Sequence, residues 1–346
     1  MTTAIRAART IVAALLAAAV HAGCTSAPER PAGQDASLVW PGPPATPRIA
    51  HVGSFSGPED LGIRRGFLQR LADALFGADD ERLVRPMSVA EDGGLLYVAD
   101  PGARGVHRFD RRNGRHELLR GPHQSQIPSP VGLAVGKGGV VYVTDSALRQ
   151  VLVLRPGAGE AEPLSLEGGL GQPTGIAWDP ERERLLVVDT RAHRIAAFSA
   201  DGRRLAEFGQ RGDGPGEFNY PTFLWRLADG RLLVTDSLNF RVQTLDADGR
   251  PLARFGRLGD GTGDIARHKG IATDRHGHIY LADALFHAIQ IFDANGGLLL
   301  AFGAQGREAG EFWLPAGIHV GSDDTIYVAD SYNQRVQMFR YLWDTP

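Results

Sequence analysis

Three residues of this chain are of types that could do chemistry together: His268, Lys269 and His287. Imidazoles bind transition metals and move protons near neutral pH. Lys269 is one of only two lysines. Gathered at the mouth of a channel, the three would suit a metal-assisted lyase or hydrolase. His193 occupies a corner like that of His287, two repeats earlier. His51, His107, His278 and His319 fall on or beside apolar runs at unequal offsets, and His116 and His123 fall in loops. No H-E-x-x-H pair occurs. Cys24 is the only cysteine, so neither a disulfide nor a CxxC site is available.

Six aspartates are a second candidate set. Asp100, Asp145, Asp189, Asp236, Asp283 and Asp330 each close a short apolar run, as in LLYVAD and TIYVAD. Their intervals are 45, 44, 47, 47 and 47 residues. A ring of carboxylates invites a metal, but repetition argues against it, because catalysis needs different groups at different places. Aspartate in a corner accepts backbone N–H bonds, and that is the role expected of all six. The residues that follow them, Arg104, Arg149, Arg194, Arg241, His287 and Arg335, are expected to pair with neighbouring carboxylates and carbonyls.

What must position these residues is a repeat. Each copy begins with a Pro-x-Gly step such as Pro130-Val131-Gly132 or Pro315-Ala316-Gly317. A glycine-bearing turn, the run ending in aspartate, a polar corner and an alternating strand follow. Most copies then turn into a fourth strand, three of them ending in Phe-Gly. Alternation of period two with Gly and Asp punctuation signals strands and hairpins. Six such units at this spacing predict an all-β, six-bladed β-propeller with four-stranded antiparallel blades. Residues 48–342 form it. The last copy lacks a fourth strand and Arg48 to Phe55 is a spare one, so the N-terminal strand is expected to close the ring. Gly62 to Gly77 carries Phe67, Leu68, Leu71, Leu75 and Phe76 at helical spacing, which predicts a helical insertion before blade 1.

The copies resemble the NHL-repeat family, here of bacterial secreted or lipoprotein type. The resemblance rests on P-x-G-I/L-A at Pro315 to Ile318, on I/L-Y-V-A-D at Ile326 to Asp330, and on N-x-R-V-Q at Asn239 to Gln243. It also rests on F-G-x-x-G-x-x-x-G-E-F at Phe208 to Phe218. It implies a propeller fold, which hosts binding modules and enzymes alike. Amidating lyases are NHL-like and need a histidine set around the channel; no matching set can be placed in this chain. Propeller lactonases use channel carboxylates and amides. The channel-entry residues here, Met87, Val131, Thr174, Thr222, Lys269 and Ala316, offer none.

The loops between blades supply recognition candidates instead. Tyr220, Phe312 and Trp313 stand beside strand entries, and aromatics there are typical anchors for a partner. Lys269 joins them as a binding candidate. Phe218 and Phe312 are also suited to plugging the gap between blades. The glycine-rich stretches 209–216, 256–263 and 303–310 precede no helix and are read as turns, not phosphate cradles.

The N-terminus reads as an address. Arg6 and Arg9 precede an apolar stretch from Ile11 to Val20, followed by His21-Ala22-Gly23-Cys24. This is the pattern of a lipoprotein signal peptide over 1–23 with lipid on Cys24. Thr25 at the next position implies, by resemblance to bacterial lipoproteins, the outer membrane, facing periplasm or cell surface. Residues 24–47, rich in Pro, Ala, Gly and Ser, are expected to be a disordered tether.

Forty-three per cent hydrophobic residues in a chain of 346 suffice for one large core, and a net charge of −3 with no basic–aromatic stripe argues against a nucleic-acid partner. The expectation is a monomeric, envelope-anchored, non-catalytic scaffold that binds another envelope protein and needs no cofactor or metal. The alternatives are the metal-assisted enzyme above and a ligand-sensing propeller.

Overall fold

The computed structural model describes residues 38–63 and 81–342. Six antiparallel sheets form the ring. Blades 1 to 5 are four-stranded and run in chain order from an inner strand outward, beginning at Ser88, Pro130, Pro173, Pro221 and His268. Blade 6 takes Pro315–Val320, Thr325–Asp330 and Arg335–Tyr341 and is completed by Ile49–Phe55, which pairs with Arg335–Tyr341. The expected closure by the N-terminal strand is thus present. The outer strand of blade 2 is the short run Glu162–Leu164.

Residues 38–47, read from composition as the end of a tether, carry a short fifth strand on blade 6. Val39–Trp40 pairs with Ile49 and Ala50. The indole of Trp40 packs against Phe302 and Phe339, with ring centroids 5.2 and 5.9 Å away. This packing and the strand pairing together hold the stretch on the blade. The earlier part of the tether, the signal segment with Cys24, and all of the predicted insertion beyond Ile63 lie outside the described residues.

The core is a set of apolar layers between adjacent blades. Phe198, Phe218, Phe312 and Phe339 are fully buried in them, together with Tyr280 and Tyr327. Because each blade buries both faces only when flanked, stability belongs to the closed ring.

The Pro-x-Gly step has a local cause. A Cβ on Gly175 would lie 2.7 Å from the Phe223 Cα, one on Gly270 2.5 Å from the Ile318 nitrogen, and one on Gly317 2.6 Å from the Met87 carbonyl oxygen. Each glycine lets the inner strand of the next blade pass at close range. The inner strands bulge at this step, for example between Pro173 and Ile176.

Candidate functional site

The six aspartates are joints. Asp100 accepts the N–H groups of Val84, Arg85, Gly102 and Ala103, at 2.7 to 2.9 Å. Asp283 accepts those of Ala266, Arg267, Leu285 and Phe286. In these blades the carboxylate ties the entering loop to the corner after the second strand.

In blades 4 and 6 the repeat motif adds a clamp. Asp236 receives Arg241 Nε at 2.8 Å, and the same guanidinium donates to the carbonyls of Asp213, Gly214 and Glu217. Asn239 bonds the Gly212 carbonyl, and Gln243 bonds both the Gly216 N–H and the Glu217 carbonyl. Asn333, Arg335 and Gln337 repeat the arrangement around Gly306, Glu308, Gly310 and Glu311. Asn, Arg and Gln thus grip the glycine-rich stretch that precedes their blade, which is why the two motifs travel together. Among the described residues no group of three or more His, Cys, Asp or Glu is placed to hold a metal ion.

The corner set expected from sequence splits into two positions. Arg104, Arg149 and His287 share a left-handed site, with φ of 55°, 57° and 52°. Arg194, Arg241 and Arg335 stand one residue later, opposite the aspartate in the ladder. Spacing from the aspartate, rather than residue type, defines equivalence. The left-handed residues of blades 3, 4 and 6 are therefore His193, Phe240 and Gln334.

His268, Lys269 and His287 are not brought together for chemistry, contrary to the sequence expectation. His268 is buried, and its Nε2–H donates to the Arg241 carbonyl of blade 4 at 3.0 Å. Burial holds it neutral, with its pKa pushed down to about 4. The His287 Nδ1 accepts the Leu314 N–H of blade 6 at 3.1 Å. His193 makes the same bond to the Tyr220 N–H, also at 3.1 Å. The two blade-5 histidines thus serve opposite neighbours as interblade fasteners. Lys269 is partly buried, and its pKa is lowered by burial and then by repulsion from Arg267 and Arg85.

Of the recognition aromatics, Phe312 is corrected by the structure. It is fully buried against Phe302 and Phe339, as an interblade plug, and has no surface to offer. Tyr220 is 40% exposed, with its ring edge-on to His193 at 4.5 Å. Trp313 is half-buried beneath the Arg307 guanidinium and beside Tyr332. Leu238, Leu285 and Tyr332, each the second residue after its aspartate, are all more than half exposed. Strand-entry loops and these corners share one end of the inner strands, so Tyr220 and Leu238, Leu285, and Trp313 and Tyr332 form an apolar arc over blades 4, 5 and 6.

An axial channel lies below that face. A cavity of about 680 Å³ runs along it, lined by the later halves of the inner strands and by Lys137, Pro180 and Glu183 of the turns that follow them. It therefore reaches the face opposite the strand entries; none of the expected channel-entry residues lines it. The fifth position of the Pro-x-Gly step is alanine in four blades: Ala90, Ala134, Ala177 and Ala272. It is Trp225 in blade 4 and His319 in blade 6. Blade 4 also carries Phe223 in place of the glycine. These side chains wall one side of the cavity. The broken alanine column is the mark these positions leave in the sequence.

A family model of the NHL repeat matches residues 312–339. Peptidyl-glycine α-amidating monooxygenase of Mus musculus is 30% identical over 122 residues, covering 31% of this chain and 12% of that protein. The form A enzyme of Xenopus laevis is 30% identical over 149 residues, covering 39% and 14%. The chain thus spans only a small fraction of the curated relatives it matches. Among solved structures, virginiamycin B lyase from Staphylococcus aureus superposes with a TM-score of 0.56 at 15% identity, over 75% of this chain and 96% of that one. An auxiliary nutrient binding protein from Bacteroides thetaiotaomicron gives 0.60 at 12% identity, over 76% and 71%. At such identities the likeness is one of fold. This chain therefore carries an NHL repeat in its last blade, with near-copies of it in the other five, and has the fold of a six-bladed β-propeller.

Proposed function

We propose that this propeller is a non-catalytic binding module of the cell envelope, anchored by lipid on Cys24 and engaging another envelope protein through its strand-entry face. One observation carries the reading. Three consecutive blades expose Tyr220, Leu238, Leu285 and Tyr332 on that face, while the histidines of a type suited to chemistry there bond to backbone. Aromatic and aliphatic side chains beside arginine are the usual centre of a protein interface.

The test is cross-linking and quantitative co-purification from solubilised envelope. The wild type is compared with a Tyr220→Ser, Leu285→Ser, Tyr332→Ser variant of unchanged melting temperature. A single partner captured in stoichiometric amount by the wild type and lost from the variant supports the proposal. Equal capture by both would overturn it.

The partial match to the amidating enzymes motivates a second reading, a metal-assisted lyase or hydrolase. It requires one tightly held metal ion per chain, measurable by elemental analysis.

A further inference from the structure

We propose that the axial cavity is a second binding site, distinct from the strand-entry face, for a flat, aromatic small molecule without negative charge. Its volume of about 680 Å³ lies in the range of small-molecule sites, roughly 300–1,000 Å³. Phe223, Trp178 and Trp225 give it flat apolar walls. Trp178 is itself stacked on Tyr142, with planes 10° apart, so that wall is fixed in place.

The cations of the lining are already matched. Lys137 meets Glu183 at 2.5 Å, Arg226 meets Asp179 and Glu181, and Glu91 accepts the Gly94 N–H. Both cationic side chains of the lining are thus held by carboxylates. An anion entering would lose its hydration without an unpaired cation to meet.

Inside, one side chain remains open to a ligand. Trp225 Nε1–H is used on Thr273 Oγ1 at 2.9 Å, and the Ser88 hydroxyl on the Val131 carbonyl at 2.6 Å. His319 faces the cavity, is enclosed by the ring, and keeps accessible surface. Neither of its nitrogens bonds a described residue. Burial lowers its pKa to about 4, so at neutral pH it offers one donor and one acceptor. A flat ring between the aromatic walls, with one hydrogen-bonding group toward His319, satisfies every feature. The smaller alanines of the other blades leave the room for it.

Titration of the purified full chain with N-phenyl-1-naphthylamine, a neutral fluorescent aromatic amine, tests this. Saturable one-to-one uptake is expected, with tryptophan emission falling as probe emission rises. Ala177→Phe narrows the cavity and should weaken uptake about tenfold, a usual scale for pocket-volume effects. His319→Leu keeps the volume, removes the hydrogen bond, and should weaken uptake by roughly two- to tenfold. The Tyr220→Ser, Leu285→Ser, Tyr332→Ser variant should bind the probe like wild type, which separates this site from the protein-binding face. No saturable uptake, wild-type affinity in either cavity variant, or loss of uptake in the face variant would each overturn the proposal.

Discussion

The indole of Trp225 and the imidazole of His319 meet edge to face inside the ring, with centroids 5.7 Å apart and planes at 65°. One comes from blade 4 and the other from blade 6, and both stand where four sister blades carry alanine. Two departures from the repeat have been spent on a single contact.

That contact gives a spectroscopic handle. An imidazolium beside an indole quenches its emission, whereas a neutral imidazole does so weakly. Because burial brings His319 down to about 4, tryptophan emission should stay level through neutral pH and fall as pH drops through that value. His319→Leu should remove this step while leaving the emission at neutral pH in place. A step that persists in the variant would assign it to another group.

Acid should also destabilise the fold. His107 is held down to about 3 by burial, then by repulsion from His116 and Arg120, and His268 down to about 4 by burial. Unfolded, both titrate near 6.5. Below that pH the unfolded chain binds protons that the folded chain refuses. Stability is therefore full above 6.5 and falls as pH drops toward the folded values, by about 1.4 kcal/mol per pH unit for each histidine. His268→Pro installs the residue found at four of the other inner-strand starts. It should fold and lower the slope by about 1.4 kcal/mol per pH unit between about pH 6 and pH 4.5, read from urea unfolding at each pH. An unaltered slope would mean that His268 is protonated in the fold.

The clamp arginine should not tolerate lysine. Arg241 is buried with Asp236 and makes four hydrogen bonds in a fixed fork. Arg241→Ala leaves a buried carboxylate without its cation and should cost about 3–5 kcal/mol. Arg241→Lys should recover less than half of that, since an ammonium cannot span those acceptors. Arg194, 30% exposed and 3.8 Å from Asp189, should cost less than about 1 kcal/mol when changed to alanine. Denaturant midpoints of the three variants give the comparison directly.

Glycines of the repeat should divide into two classes. Gly270→Ala forces a Cβ against the blade 6 backbone and should destabilise by about 1–3 kcal/mol. Gly277→Ala meets nothing within 4 Å but has φ of +83°, so only the left-handed strain of about 1–2 kcal/mol applies. Calorimetry of the two should show the larger loss at Gly270. The reverse order would mean that the inner strands slide apart readily.

Periodicity made most of the architecture legible in advance. Six aspartates at near-constant spacing, each after an apolar run, required six sheets, because an isolated four-stranded unit cannot bury both its faces. The spare strand before the first repeat required closure with the last blade. These inferences depend on patterns within one stretch of chain and on the need to satisfy every strand edge, so sequence carries them. What the sequence left open were relations between residues far apart in the chain. His268 and His287 lie close in sequence, yet each turns to a different neighbouring blade. Phe312 precedes the half-buried Trp313 and is itself a fully buried plug. Trp225 and His319, 94 positions apart, meet only because the ring sets blade 6 two places beyond blade 4. Repeat spacing states which positions are equivalent; only the curvature of the closed ring decides which side chains at those positions share a space.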